Sequence, residues 1–262
     1  MKIEKSPYAL SSAVFPVVIA VALLWVIQSA GVLFELPLNT LGVTPRDWSR
    51  LYGVLTSPLV HGSYEHLFNN TLPLVVLGSM VRYGYPNSRG KVLLLAWLVS
   101  GAGVWLFGRE SVHLGASGIS HGLFFFLFIV SLLRQDKRSA ALMMIAFLMY
   151  GGMIMTIFPR DPGISFEAHF FGALGGVVAA VLFWQRDPKQ AEKRYTWQDA
   201  DQTDAEDPLI GNLWQQAPYP EATFTDTSKS GEGDSNENGG LHTPGQNHQK
   251  QSHQSQRGTN ER

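Results

Sequence analysis

Gly115-Ala116-Ser117-Gly118 lies near the start of residues 111–133, a run with no Asp, Glu, Lys or Arg. The run is long enough for a membrane helix, which needs about 20 mainly apolar residues. A serine among small residues in hydrocarbon ordinarily serves packing, because small side chains let helix backbones approach closely. Whether Ser117 does chemistry depends on which other polar residues share its depth.

Working outward, the same criterion marks six spans, at residues 13–34, 66–81, 92–108, 111–133, 139–159 and 168–185. The second, third and sixth are at the short end, which predicts tilt or local thinning of the bilayer. The first is not followed by a small-residue cleavage site and reads as a retained anchor. Residues 35–63, with Pro37, Pro45, Pro58 and Trp48, are too apolar for a solvated linker and too broken for a span. They predict an interfacial or partly embedded loop.

Lys and Arg in short loops are retained on the cytoplasmic side. Lys2 and Lys5 precede the first span; Arg82, Arg89 and Lys91 lie between the second and third. Arg134, Lys137 and Arg138 lie between the fourth and fifth, and Arg186, Lys189, Lys193 and Arg194 follow the sixth. The other side carries only Arg46, Arg50, Arg109 and Arg160. Both termini are therefore expected in the cytoplasm.

The near-zero net charge, −1, gives no pointer to nucleic acid. Cysteine is absent, so thiolate metal sites, disulfides and a cysteine nucleophile are excluded. The chain divides into a cytoplasmic N-terminus (1–12), a six-span domain (13–186) and a polar cytoplasmic tail (187–262). The tail has too little apolar surface to offset the entropy of ordering and is expected to be disordered. Its one apolar island, residues 209–214, reads as a chance cluster.

With the N-terminus inside, the second, fourth and sixth spans all enter from the outer face. His66 and Asn70 fall in the first turns of the second, Ser117 about two turns into the fourth, and His169 at the start of the sixth. At 1.5 Å per residue these side chains sit within roughly 10 Å of the outer boundary. His66 and Asn70, four apart, share a helix face. Polar groups in hydrocarbon are costly unless they face a cavity or each other, and they mark function by default. Gly118 and Gly122 follow Ser117, and Gly172 and Gly176 follow His169, as small-residue faces. These faces would let the two spans meet closely enough for a Ser–His hydrogen bond.

At these residues the chain resembles the rhomboid family of intramembrane serine proteases, over roughly residues 51–184. The stretch His61-Gly62-Ser63-Tyr64-Glu65-His66-Leu67-Phe68-Asn69-Asn70 is similar to the family's loop histidine, second histidine and asparagine. Gly115-Ala116-Ser117-Gly118 is similar to its GxSG nucleophile motif. Ala168-His169-Phe170-Phe171-Gly172 with Gly176 is similar to its AHxxGxxxG helix. Two departures stand out. The Trp-Arg pair common in the family's first loop is interrupted, Ser49 separating Trp48 from Arg50. His121 occupies a position where the family often has an aromatic packed on the basic histidine.

The resemblance implies an all-α polytopic membrane protein, a six-transmembrane-helix bundle, in a bacterial inner membrane; the disordered C-terminal tail expected from composition lies outside it. It implies a serine endopeptidase that cuts single-span transmembrane proteins in or near the membrane segment, without metal or other cofactor. Ser117 would be the nucleophile and His169 the general base and acid. The Ser117 N–H, the His66 ring and the Asn70 amide would stabilise the oxyanion. Gly115 would let the backbone approach the substrate, and His61 would be structural or line a water path. Glu65 and Glu167 fall at the boundary, so a dyad is expected rather than a triad. His121 and His113 compete for the base role from Ser117's own span. A catalytically inactive relative that retains membrane clients is the alternative function. A metal carrier using His61, His66, His113, His121 and His169 is a third, although no HExxH-type spacing occurs. The oligomeric state stays open.

Overall fold

The structure, a computed structural model, describes residues 10–159 and 163–189. The polar tail from residue 190, with its expected disorder and its island at 209–214, lies outside the described residues, as do residues 1–9.

The described residues form seven α-helices joined by 3-10 turns: α1 (Leu10–Leu33), α2 (Gly53–Thr56), α3 (Tyr64–Gly84), α4 (Arg89–Phe107), α5 (Ser117–Arg134), α6 (Lys137–Tyr150) and α7 (Phe166–Phe183). Five are long and apolar enough to cross a membrane, α6 counting with the 3-10 segment that continues it to Ile157. The remaining expected span, α3, has the length, with 21 residues. Its polar residues, His66, Asn69, Asn70, Thr71 and Arg82 among them, make it less apolar than the other five.

The second, third and fourth spans differ from expectation near the site and at the turn that follows α3. The second and third spans are longer than expected, at 21 and 19 residues. The Ser63 hydroxyl caps α3 by accepting from the His66 N–H at 3.0 Å, and Arg82 and Arg89 fall inside helix ends. The fourth span starts later, at Ser117. Its first expected turns are extended chain, because Val43 and His113 pair as an antiparallel bridge with N···O distances of 3.0 and 2.9 Å. Gly115 then turns the chain with φ +102°, a left-handed value that glycine adopts without penalty. Ser117 is therefore the first residue of its helix instead of two turns in.

α5 is the axle of the bundle, packing against α3, α4, α6 and α7. Phe124, Phe126, Leu127 and Val130 are its fully buried core side chains. Against α7 the contact is backbone on backbone. A Cβ on Gly172 would strike the Gly118 carbonyl, and one on Gly176 the Gly122 carbonyl. Such close approach is what small residues permit where no hydrophobic effect drives helices together. α1 sits outside this group against α3, where the Trp25 indole donates to Thr71 Oγ1 at 3.0 Å.

The loop between α1 and α3 is pinned at several points. Trp105 Nε1 donates to Asp47 O at 3.1 Å, Arg46 to Gly108 O at 3.0 Å, and Thr56 Oγ1 to Leu41 O at 2.6 Å. At the opposite end of the bundle Arg134, 4% exposed, donates to the carbonyls of Trp184 and Asp187, both at 2.7 Å, and pairs with Asp136 at 2.8 Å. The Asp187 carboxylate accepts from Asn87 N and Ser88 Oγ, each at 2.6 Å. This clasp ties the α3–α4 turn, the α5–α6 turn and the end of α7 together.

Candidate active site

A cavity of about 690 Å³ opens at the end of the bundle where α3, α5 and α7 begin. His66 and Asn70 of α3, Ser117 and His121 of α5, and His169 of α7 all line it. The polar residues expected in one layer are thus brought together. Tyr150, Met153 and Thr156, at the end of α6 and in the 3-10 segment after it, close another side.

Each position has a local cause. Ser117 opens α5, so its N–H is one of the donors without an intrahelical partner at a helix start. Ser165 caps α7 by accepting from the Ala168 N–H at 3.3 Å, which places His169 in the first turn. Asn70 is buried and donates one amide N–H to the His66 carbonyl at 3.0 Å. A Cβ on Gly115 would lie 2.6 and 2.7 Å from His66 Cε1 and Nε2, so the glycine is the surface on which the His66 ring rests.

The rings of His121 and His169 are stacked, with centroids 3.8 Å apart and planes 12° from parallel. His169 Nδ1 lies 3.0 Å from the Thr156 carbonyl oxygen. A carbonyl only accepts, so Nδ1 carries the proton and the lone pair of neutral His169 is on Nε2. His121 Nδ1 lies 2.7 Å from the Ser117 carbonyl oxygen, and its Nε2 lies 2.8 Å from Thr156 Oγ1. Both nitrogens of His121 are engaged, whereas His169 keeps one toward the cavity.

Among the described residues no hydrogen bond joins Ser117 Oγ to His169, contrary to the contact expected from the glycine faces. The faces do meet, but the His169 ring is held by the Thr156 carbonyl and by its stack on His121. Catalytic hydrogen bonds are often loose without substrate and tighten in the complex.

The other histidines are committed elsewhere. His61, 2% exposed, lies behind the cavity wall, its ring edge-on to His66 at 5.1 Å. Its Nε2 accepts from the Ala116 N–H at 3.4 Å. Burial, with the neighbouring His66, pushes its pKa down to about 4. His113 lies in the extended segment before α5, with Nδ1 2.6 Å from Ser165 Oγ and Nε2 3.1 Å from Arg109 O. Burial also lowers its pKa. The Glu167 carboxylate pairs with Arg109 at 3.2 Å. Trp48 packs edge-on to Trp105, Arg50 pairs with Asp47 at 3.8 Å, and neither lines the cavity. Among the described residues no three His, Asp or Glu side chains gather as a metal-ligand set.

Sequence reasoning missed Thr156, which meets His169 with its carbonyl and His121 with its hydroxyl. A threonine in an apolar run carries no signal of such a role.

Residues 48–186 match the family model of the Rhomboid domain. An uncharacterized protein of Mycobacterium tuberculosis is 31% identical over 171 residues, covering 62% of this chain and 71% of that protein. An uncharacterized protein of Mycobacterium leprae is 30% identical over 170 residues, 62% of this chain and 67% of its own length. A Bacillus subtilis protein named "Putative rhomboid protease YdcA" is 28% identical over 165 residues, 59% of this chain and 75% of that one. This chain therefore belongs to the rhomboid family, whose members are generally intramembrane serine proteases, and is a multi-pass membrane protein.

Proposed function

We propose that the protein is an active intramembrane serine endopeptidase using Ser117 and His169 as a dyad. The observation that carries this reading is the tautomer of His169. With Nδ1–H directed at the Thr156 carbonyl, Nε2 is the free base in the cavity that Ser117 lines. Ser117 Oγ attacks the scissile carbonyl while His169 Nε2 takes its proton. The imidazolium formed keeps its Nδ1–H on Thr156 O and returns the Nε2 proton to the leaving amine, which departs as the acyl-enzyme forms. Water, deprotonated by the same nitrogen, then hydrolyses the ester.

The tetrahedral oxyanion is met by the Ser117 N–H at the start of α5, where the helix dipole adds positive potential. The His66 ring and the second N–H of the Asn70 amide are the side-chain donors, and losing one such donor costs about 10²–10³ in rate. Glu167 is occupied by Arg109, which favours a dyad over a triad. The cavity at the bundle end supplies the water that hydrocarbon lacks, and the substrate is a single-span membrane protein unwound at its cleavage site. The distribution of Lys and Arg supports cytoplasmic termini, with the cavity facing outward, in a bacterial inner membrane.

The test is cleavage of a fluorogenic transmembrane substrate by purified protein in detergent or vesicles, with a chelator control. Ser117→Ala and His169→Ala are each expected to lower turnover by at least about 10³-fold, and chelation to leave it unchanged. Cleavage that survives Ser117→Ala, or an inactive wild type beside an active relative, overturns the proposal. The second result would favour a client-binding role.

A further inference from the structure

A second hollow, of about 270 Å³, lies between α1, α3, α4 and α5. Its walls are aliphatic, with Val17, Val21, Leu74, Leu93, Ile119 and Leu123 among them. Leu93 and Leu23, both on its rim, are exposed, so the hollow opens sideways onto the bilayer-facing surface. It lies across α5 from the cavity: Ser117, Ser120 and His121 face the cavity, while Ala116, Ile119 and Leu123 face the hollow.

Two arginines interrupt the aliphatic lining, Arg82 in the last turn of α3 and Arg89 at the start of α4. They are close enough to repel one another, and among the described residues neither pairs with a carboxylate. Arg82 reaches the Ser12 carbonyl at 3.4 Å, but its Nε is buried without an acceptor. The indole N–H of Trp97, on the same wall, is also buried without one. An orphaned guanidinium donor beside a second arginine is unfavourable unless an anion with further acceptor oxygens completes it.

We propose that this hollow is a binding site for an anionic phospholipid. The phosphate sits between Arg82 and Arg89, where the helix ends meet the headgroup level, and an acyl chain runs along the aliphatic wall. Basic pockets between membrane helices bind anionic headgroups in this way. A soluble anion would satisfy the guanidinium groups and leave the apolar wall bare. A transmembrane peptide would fill the wall and bring no negative charge. The site rests on the membrane placement of the chain and is independent of the protease reading.

Full-length protein in phosphatidylcholine vesicles is doped with bromine-labelled phosphatidylglycerol or bromine-labelled phosphatidylcholine. Tryptophan quenching is measured against a Trp97→Phe control to isolate the Trp97 share. The labelled phosphatidylglycerol is expected to quench that share at a roughly tenfold lower mole fraction than its zwitterionic counterpart, given two arginines at the headgroup level. Arg82→Gln with Arg89→Gln should abolish the preference, and inorganic phosphate should leave it intact. Ala20→Phe, at an exposed position on the rim, retains both arginines and should lower quenching by both lipids. Equal quenching of the wild type by the two lipids overturns the proposal, as does a preference that persists without the arginines. Competition by phosphate would instead indicate a soluble-anion site.

Discussion

His121 presents its ring face to His169 at a centroid separation of 3.8 Å while bonding the Ser117 carbonyl through Nδ1 and Thr156 Oγ1 through Nε2. One side chain thus touches both members of the proposed dyad, as a positioning residue. His121→Phe keeps the flat surface and loses the hydrogen bonds to the Ser117 carbonyl and Thr156 Oγ1, so turnover should stay within about tenfold of wild type if the stack is what positions His169. His121→Ala removes the surface as well and should lower turnover by about 10². Initial rates on a transmembrane substrate check both. Equal loss in the two variants, down to the Ser117→Ala level, would make His121 the base.

Gly115→Ala is expected to impair catalysis more than folding. Its φ of +102° strains any L side chain, at about 1–3 kcal/mol, and the new methyl group would displace the His66 ring. Turnover should fall by about 10², the loss of one oxyanion donor, with helicity retained by circular dichroism. Wild-type turnover in this variant would remove His66 from the oxyanion site.

Gly172→Ala and Gly176→Ala test the α5–α7 seam. Each added methyl group meets a backbone carbonyl, which cannot rotate away. Overpacking of this kind costs about 1–3 kcal/mol, so the melting midpoint in detergent should fall for both. Gly172 lies one turn beyond His169 and opposite Gly118, so Gly172→Ala should lose more turnover than Gly176→Ala at a similar melting midpoint.

Acid should weaken the fold through His61. The unfolded chain takes up this proton near pH 6.5, while the folded chain resists it until about pH 4 because of burial and then His66. Between those values the unfolded state binds more protons, so the contribution is complete above pH 6.5 and is lost as pH falls to about 4. His61→Gln retains an acceptor and does not titrate. It should reduce the pH dependence of the melting midpoint over that window, with a residual slope from His113, whose pKa burial also lowers.

Ser117, His169, His66 and Asn70 were legible as a group because hydrophobic length and helical rise are local properties that set depth without reference to packing. The late start of α5 was not, because Ser111 to Ala116 have no charge or proline to mark a boundary. The extended conformation there comes from Val43, remote in sequence, pairing with His113. The competing base candidates were also undecided along the chain. In the fold His113 and His121 are engaged by partners on other elements, Ser165 and Thr156, which no pattern in their own span announces.

The sequence alone determined the family, five apolar spans and the four polar residues that gather at one end of the bundle, since residue type and spacing are sufficient for each. Tertiary structure decided that Ser117 begins its helix, that His121 is stacked and fully bonded, and that His169 keeps Nε2 free. Those facts depend on which carbonyl of a distant element faces which ring nitrogen. No periodicity in the chain encodes that distance.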